Sequence, residues 1–290
     1  MRALDRYNPI AVAIYYLAVM GISMLCMHPI LLLISLAGAM SACALYRSAR
    51  PAQHALFWGT FALTALLNPL LSRHGATVLL VLGDKPVTLE ALVWGLVAGL
   101  GIVSVLYWVG AFGALMTQDK LLYLFGKLSP RISLLLSMAL RYIALFSEQS
   151  RKIRQSQRAL GLYKQDNILD RLRGEARIFS ILLSWALENG IITANSMAAR
   201  GYGTGRRTHF SRFTWRAHDT LLLTLSLALT AATVTPLLLG KVTFTAYPTL
   251  QITGGTLPLL TYLFFGVLVA LPILIETEDT VKWKYLRSKI

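Results

Sequence analysis

Long apolar runs separated by short polar segments dominate this chain. A helix needs about 20 mostly apolar residues to cross the hydrocarbon core of a bilayer. Runs of this kind predict spanning helices at Ile10–Cys26, Pro29–Leu45, Ala55–Leu71, Leu89–Met116, Leu221–Leu239 and Leu257–Ile275. Two more apolar stretches lie between residues 117 and 217, so the predicted number of spans is about six. The expected fold class is therefore all-α, that of a polytopic membrane protein.

The region Thr117–Ala217 has a different pattern, in which a long helix is apolar in one half and polar in the other. Ser129 and Pro130 predict a helix start and Gly161 predicts its end. The helix between them would be about 46 Å long. The stretch Ile132–Phe146 in its first half is almost wholly apolar, with Arg141 as the only charge of that stretch. The second half is basic, and its spacing places three arginines on one face: Arg151, Arg154 and Arg158.

A second helix repeats this design. It is expected to begin near Glu175, because a carboxylate in the first turn interacts favourably with the helix dipole. An apolar stretch follows, and the helix ends at Ala199 and Arg200, with Gly201 as the stop. Both long helices are thus predicted to end in a small residue, a nearby cation and a glycine.

The segment that joins the two long helices, Leu162–Arg173, is short and polar. Three apolar residues in it predict one amphipathic turn at the membrane surface: Ile168, Leu169 and Leu172. Because the connection is short, the helices are expected to fold back or cross, which separates their C-terminal ends. The predicted domains are residues 1–116 with the N-terminal spans, 117–217 with the two long helices, and 218–290 with the C-terminal spans and a basic tail.

Composition and charge agree with a membrane protein. Of 290 residues, 56% are hydrophobic and 14% charged, and the mean hydropathy is +0.59. A net charge of +15 would suggest nucleic-acid binding in a soluble protein, but here it follows from the excess of Lys and Arg in cytoplasmic loops. Arg47, Arg50, the segment Arg141–Arg216 and the tail from Lys282 are therefore expected to be cytoplasmic. Both termini are then also cytoplasmic.

Residues suited to catalysis, cofactor binding or metal binding are not grouped. The two cysteines, Cys26 and Cys43, lie in apolar runs, and the five histidines are far apart. No G-x-x-x-x-G-K-[ST] phosphate loop occurs, so ATP would have to be bound by another chain. Glu90 and Asp219 lie near predicted span ends, where hydration is expected. The sequence therefore predicts a non-enzymatic protein with no metal, no cofactor and no nucleic-acid partner.

The surroundings of Arg200 favour binding to a protein. An arginine at a helix C-terminus is stabilised by the dipole and offers a rigid donor fork to a carboxylate. Alanine before it and glycine after it keep the end slender, so the backbone can approach a groove on a partner. Other basic side chains are expected to extend to lipid phosphates. They are Arg171, Arg173, Arg206, Arg207 and Arg212.

Three stretches resemble the transmembrane coupling subunit, or T component, of energy-coupling factor importers of vitamins and metal ions. They are LRYIALFSEQSRKIRQSQRALGL at 140–162, ANSMAARGYGTGRRT at 194–208 and MTQDKLLYLFGKL at 116–128. The first is similar to the family's first coupling helix, which leads to Gln-Arg-Ala-Arg-Gly. The second is similar to the family's Ala-x-x-Ala-Arg-Gly-Tyr motif. The resemblance covers essentially the whole chain.

This resemblance implies that the long helices are cytoplasmic coupling helices of a subunit in the cell membrane. Two ATP-binding-cassette ATPases would dock on the helix ends, and a small substrate-binding membrane subunit would pack on the apolar halves. ATP-driven movement would then be transmitted to that subunit for vitamin or metal-ion uptake. The implied ATPase-docking residues are Arg158, Ala159, Leu160, Gly161, Ala199, Arg200 and Gly201. The implied supporting residues are Arg141, Arg151, Arg154 and Tyr202.

One position departs from the family pattern. Where the first motif has Ala-Arg-Gly, this chain has Ala159, Leu160 and Gly161. Arg158 lies about 200° around the helix from position 160, so it cannot take the place of the usual arginine. The first docking contact is therefore expected to be weaker or mainly apolar. Whether the two ATPases are identical is left open by the sequence, as is the substrate.

Two other functions compete with this hypothesis. An ion-coupled secondary transporter needs ionisable groups near the membrane midplane or broken helices in paired halves. Arg141 is the only candidate in a strongly apolar run, and no inverted repeat is evident. An intramembrane enzyme acting on lipid phosphates would need an acid, a nucleophile or a metal set, which the sequence does not group.

Overall fold

The computed structural model describes residues 3–46, 51–72, 77–82, 85–162, 168–205, 213–246, 250–252 and 255–287. In this part of the chain, a short 3-10 helix at Ala3–Arg6 precedes nine α-helices. The helices are α1 (Pro9–Leu25), α2 (Pro29–Tyr46), α3 (Pro51–Leu71), α4 (Leu89–Leu115), α5 (Gln118–Leu128), α6 (Pro130–Ala159), α7 (Ile168–Ala199), α8 (Ala217–Leu238) and α9 (Thr256–Arg287). Two short antiparallel hairpins are formed by β1 (Val78–Leu82) with β2 (Lys85–Thr88), and by β3 (Phe244–Thr245) with β4 (Gln251–Ile252).

The chain divides into two units. The first unit comprises Met1–Leu121 and Phe213–Ile290, and the second comprises Leu122–Arg212. The first unit contains α1–α4, α8 and α9, and the second contains most of α5 together with α6 and α7.

Among the described residues, six helices are long and apolar enough to cross a membrane, so the expected all-α polytopic fold is confirmed. They are α2, α3, α4, α7, α8 and α9. The set differs from the prediction in two members. Helix α1 is apolar but has 17 residues and is shorter than these six. Helix α7, which we expected only as a long helix of the 117–217 region, has 32 residues and contains an apolar stretch of spanning length.

The packing of the first unit combines small and aromatic residues. A Cβ atom on Gly38 of α2 would overlap the side chain of Val269 on α9, so the glycine allows these helices to approach closely. Three residues earlier on α2, the indole N–H of Trp108 donates a 3.0 Å hydrogen bond to the hydroxyl of Ser35. Tyr16 of α1 packs edge-on against Trp108. These contacts join α1, α2 and α4 around one buried indole.

Two acidic side chains that we expected to be hydrated are instead buried. The Glu90 carboxylate accepts hydrogen bonds from the backbone N–H of Thr77 at 3.1 Å and from its hydroxyl at 2.8 Å. Asp219 accepts from the backbone N–H of Asn8 at 2.7 Å and of Arg216 at 2.8 Å. The prediction was wrong because N–H and O–H donors of the protein replace water around each carboxylate.

Hydrogen bonds and ion pairs join residues 5–8, near the N-terminus, to three other parts of the first unit. Besides the Asn8–Asp219 hydrogen bond, Asp5 accepts a 3.0 Å hydrogen bond from the buried ammonium of Lys120, which also donates to the carbonyl of Leu115. An ion pair between Arg6 and Asp279 at 3.4 Å joins the segment to α9. Lys120 lies one residue before Leu121, where the first unit gives way to the second.

Candidate functional site

Helices α6 and α7 lie antiparallel within the second unit. Contacts along them pair Tyr142 with Thr193, Phe146 with Trp185, and Arg154 with Glu175. The residue number on α7 falls as the number on α6 rises, as it does in an antiparallel pair. The expected fold-back of the two long helices is therefore confirmed, and their C-terminal ends point in opposite directions.

A salt bridge joins α6 to α7 in the C-terminal half of α6. The guanidinium of Arg154 donates to the carboxylate of Glu175 at 2.9 Å, and each side chain is 41% exposed. Next to this pair, Ile153 and Ile178 are buried. Since Arg154 is directed to α7, it does not form a common free face with Arg151, which is exposed on the outside of α6.

The start of α7 differs from the prediction. The helix begins at Ile168, so Glu175 lies in its second turn and Asp170 is the acid in the first turn. Glu175 therefore stabilises α7 by pairing with Arg154 and not by an interaction with the end of the dipole. Ile168, which we assigned with its apolar neighbours to a separate amphipathic turn, instead opens α7. Those neighbours, Leu169 and Leu172, also belong to the first turns of α7 and are exposed.

Both long helices end in the same hydrogen-bonded cap. The N–H of Gly161 donates to the carbonyl of Arg158, and the N–H of Leu162 donates to the carbonyl of Gln157, both at 3.0 Å. At the end of α7, Gly201 donates to Ala198 at 2.9 Å and Tyr202 donates to Met197 at 3.0 Å. The two glycines have φ angles of 68° and 73°. Each end is thus a Schellman motif in which glycine adopts the left-handed conformation.

This shared geometry makes the two ends comparable residue by residue. We call Arg158–Leu162 the first tip and Ala198–Tyr202 the second tip. Leu160 and Arg200 both occupy the residue before the capping glycine, and Leu162 and Tyr202 both occupy the residue after it. Leu160 is therefore the structural equivalent of Arg200.

The tips are open to a partner. The exposed members of the predicted docking set are Arg158, Ala159, Leu160, Gly161, Ala199 and Arg200, whereas Gly201 is half-buried and the predicted supporting residue Tyr202 is exposed. Arg200 forms no ion pair with any residue in the ranges that the structure describes. The structure does not bring the two tips together, since they end opposite ends of an antiparallel pair. This arrangement provides two separate contact points.

The remaining predicted arginines have different positions. Arg141 is exposed on the apolar half of α6, and Arg171 and Arg173 are exposed in the first turns of α7. Those that lie outside the described residues are Arg47, Arg50, Arg206, Arg207 and Arg212.

The only acid on the polar half of α6 is Glu148, whose carboxylate accepts a 2.8 Å hydrogen bond from the ammonium of Lys152. This hydrogen bond and the positive charge of Lys152 lower the pKa of Glu148 below its ordinary value.

Large apolar side chains cover the outer surfaces of α6 and α7. Several are more than half exposed: Leu135 and Ile143 on α6, and Phe179, Leu187 and Ile191 on α7. These surfaces lie beside the aromatic contact of Phe146 with Trp185. Exposed apolar area of this extent on a helix pair is typical of a surface that meets lipid or another membrane protein.

Sequence reasoning missed two features of the site. Leu162 was assigned to the polar connection, but it completes the first cap and is 51% exposed. The 40-residue offset between the two glycines could have revealed its equivalence to Tyr202. The pairing of Arg154 with Glu175 had no such signal, because it depends on the crossing of two helices.

Comparisons with known proteins show the family to which this chain is similar. A family model described as a cobalt transport protein, CbiQ, matches residues 2–210. The energy-coupling factor transporter transmembrane protein EcfT of Streptococcus thermophilus is 31% identical over 112 residues, which cover 38% of this chain and 42% of that protein. EcfT 1 of Listeria monocytogenes is 31% identical over 105 residues, or 36% and 40% of the two chains. EcfT of Exiguobacterium sibiricum is 34% identical over 100 residues, or 34% and 38%. The match thus spans about two fifths of these curated relatives.

Proposed function

Because this chain belongs to the CbiQ family of cobalt transport proteins, we propose that it is the coupling component of an energy-coupling factor importer. In this function, two ATP-binding-cassette ATPases dock on the two tips, and the chain transmits their movement to a separate substrate-binding membrane subunit. The observation that carries the proposal is the pair of long antiparallel helices that end in matching, exposed, glycine-capped tips.

The second tip has the chemistry for docking on a protein. Arg200 is exposed and has no ion-pair partner in the described ranges, so its guanidinium can bind a partner's carboxylate in a bidentate manner. Gly201 holds the chain in a tight turn that no side-chain-bearing residue adopts without strain. Tyr202 adds an exposed aromatic ring beside the cation. Arginine and tyrosine are enriched among residues that dominate binding energy at protein interfaces.

The contacts between α6 and α7 suit transmission of force. The Arg154–Glu175 salt bridge and the Phe146–Trp185 contact hold the helices at two places along their length. Movement of a tip would then turn a whole helix, and its apolar surface would move with it. A helix of 30 residues is about 45 Å long, so a displacement at one end is carried to a distant contact at the other.

We place the substrate-binding subunit on the exposed apolar surfaces of α6 and α7. Leu135, Ile143 and Phe179 contribute area that a partner within the membrane could cover. The substrate would be bound by that subunit and would be a vitamin or a metal ion. The chain itself would be non-catalytic, with ATP bound and hydrolysed by the partner ATPases.

The proposed location is the cell membrane, with both termini and both tips on the cytoplasmic side. The support is the excess of fourteen Lys and Arg over five acidic residues in Arg141–Arg216 and the basic end of the chain. Residues 1–116 and 218–290 would anchor the chain, and residues 117–217 would carry the coupling helices.

The test is co-purification of the full chain in mild detergent with its membrane and cytoplasmic partners. A coupling component should retain ATPases and a small membrane protein, whereas an ion-coupled secondary transporter should be recovered alone or as a homo-oligomer. Arg200→Glu should weaken ATPase binding by about 30-fold or more, because it removes one member of a charge pair and adds repulsion. Arg177→Glu, which reverses an exposed arginine elsewhere on α7, should have no effect. Unchanged binding by Arg200→Glu would exclude Arg200 from docking.

A further inference from the structure

A groove separates the C-terminal ends of α1 and α8 in the first unit. The two helices meet near their N-terminal ends, where the backbone N–H of Asn8 donates to Asp219 at 2.7 Å. Towards their C-terminal ends, a cavity of about 600 Å³ lies between them. We call it the α1–α8 groove. Its walls include Leu17, Gly21 and Leu25 of α1 and Thr230, Val234 and Leu238 of α8.

We propose that the α1–α8 groove binds one acyl chain of a membrane phospholipid. The lipid belongs to the leaflet that holds the C-terminal ends of α1 and α8, and its ester and headgroup oxygens lie beside His28 and Thr243. This inference depends on insertion of the chain in a membrane and not on the coupling function.

The walls of the groove favour hydrocarbon as the occupant. Leu17 is 60% exposed, Leu25 83% and Leu238 82%. Between the two leucines of α1, Gly21 leaves the wall open, because a Cβ atom there would meet nothing within 4 Å. Water in an apolar space of this size finds too few hydrogen-bond partners, and an empty space forfeits dispersion contacts. An acyl chain from the surrounding bilayer meets neither penalty.

The length of the groove favours a lipid over a helix of another protein. From Leu17 to Leu25, α1 rises by about 12 Å. This matches the hydrocarbon of one leaflet, which is half of a core about 30 Å thick. A partner's transmembrane helix would need a contact surface through both leaflets. On α8 the lining begins at Thr230, and before it Leu222 and Ser226 are already buried within the chain.

The groove has a polar end, where α1 stops and the segment leading into β3 passes. His28 lines this end and is 2% exposed, and Thr243 and Thr245 are exposed beside it. The Nε2 atom of His28 lies 3.2 Å from the hydroxyl of Tyr262. Its Nδ1 atom is buried and has no hydrogen-bond partner among the described residues.

An unpaired buried nitrogen is uncommon and indicates that a further polar group belongs nearby. A water molecule held by the ester and headgroup oxygens of a lipid would supply the partner that Nδ1 of His28 lacks. The groove is thus apolar along its walls and polar at one end. A phospholipid has the same order of polarity from its acyl chain to its headgroup.

The experiment titrates the full chain, freed of lipid in detergent, with a phosphatidylcholine that carries a photoactivatable diazirine in one acyl chain. After irradiation, mass spectrometry of peptides locates the labelled residues. Labelling of residues 17–27 and 230–238 should saturate at one lipid for each protein chain. Leu63 and Leu66 on α3, which are 58% and 68% exposed, provide the comparison. Their labelling should rise in proportion to the added lipid.

Gly21→Phe places a ring in the groove and should weaken the saturable binding by about tenfold or more, since contact with two or more methylene groups is lost. Val234→Phe fills the groove from the opposite wall and should have the same effect. Gly59→Phe is the matched control, because Gly59 is exposed on α3 and a Cβ atom there also meets nothing within 4 Å. Size-exclusion chromatography checks that each variant is folded and monodisperse.

A second arm identifies the occupant in native membranes. The photoreactive residue p-benzoylphenylalanine replaces Leu17, and irradiation should give an adduct with the mass of a phospholipid. A protein adduct would overturn the inference in favour of a helix from another subunit.

Labelling of the groove that rises without saturation, as on α3, would overturn the inference, because it would indicate only the general lipid surface. Unchanged binding by folded Gly21→Phe and Val234→Phe would do the same. None of these results bears on the coupling function, which is tested by recovery of ATPases.

Discussion

The guanidinium of Arg154 on α6 lies 2.9 Å from the carboxylate of Glu175 on α7 and is the charged link between the two long helices in the described residues. Both side chains are 41% exposed, so solvent screens the pair and its contribution to stability should be about 0.5–1 kcal/mol. The pair fixes the register of the two helices at this contact.

We predict that Glu175→Gln loosens the α6–α7 contact without unfolding either helix. Backbone hydrogen exchange near Ile153 and Ile178, which are buried beside the pair, should become faster. The swapped variant, Arg154→Glu with Glu175→Arg, should restore much of the protection, as measured in a double-mutant cycle. Glu188→Gln, on the same helix, is the matched control. Equal exchange in Glu175→Gln and the wild type would contradict a role for the pair.

The left-handed glycines give a second prediction. Gly201→Ala places a Cβ at a φ of 73° and 3.1 Å from the hydroxyl of Thr204, so we expect a loss of about 1–2 kcal/mol in the stability of the cap. Gly161→Ala has the same backbone strain but open space around the new Cβ, and its loss should be smaller.

The control for these variants is Gly190→Ala. Gly190 lies inside α7 with nothing within 4 Å of a new Cβ, so alanine should stabilise the helix by about 0.5–1 kcal/mol. Thermal unfolding and hydrogen exchange at the tips measure the three changes. The prediction fails if Gly201→Ala is as stable as Gly190→Ala.

A third prediction concerns Asp219. Its buried carboxylate accepts the N–H groups of Asn8 and Arg216 at 2.7 Å and 2.8 Å. Asp219→Ala leaves the buried N–H of Asn8 and the partly buried N–H of Arg216 without this acceptor and should reduce the free energy of unfolding by about 2–3 kcal/mol. Asp170→Ala provides the comparison, since Asp170 also lies in the first turn of its helix but forms only a 3.7 Å pair with Arg173. Similar stabilities for the two variants would show that Asp219 contributes no more than a surface acid.

A fourth prediction separates the two members of the Asp5–Lys120 pair. Lys120 is 5% exposed, and Asp5 is considerably more open. Asp5→Ala leaves a buried ammonium with the carbonyl of Leu115 as its remaining partner among these contacts, whereas Lys120→Met replaces the cation by an apolar side chain of similar length. Asp5→Ala should therefore destabilise the protein by about 1–2 kcal/mol more than Lys120→Met does. Chemical unfolding in detergent measures the difference, and the opposite order would refute the argument.

Much of the fold was predictable because its signals are local. Apolar length identified five of the six candidate spans, and Pro130 and Gly161 bounded α6 within one residue, since helix starts and stops depend on neighbouring residues. The extension of α7 back to Ile168 was missed, because its amphipathic first turns were interpreted as a separate turn at the membrane surface and not as the start of the helix.

The candidate site likewise has some features that the sequence predicts and others that only the tertiary structure shows. The sequence alone determined the two long helices, the glycine that ends each one and the leucine that stands where an arginine was expected, because these properties reside in consecutive residues. Only the tertiary structure decided that Glu175 pairs with Arg154, that Asp219 is buried against Asn8, and that Leu160 and Arg200 occupy equivalent places in matching caps. Burial and pairing depend on groups that are distant along the chain, such as Asn8 and Asp219, which are 211 residues apart. The order of apolar and polar residues along the chain does not show which of these distant groups lie close together in space.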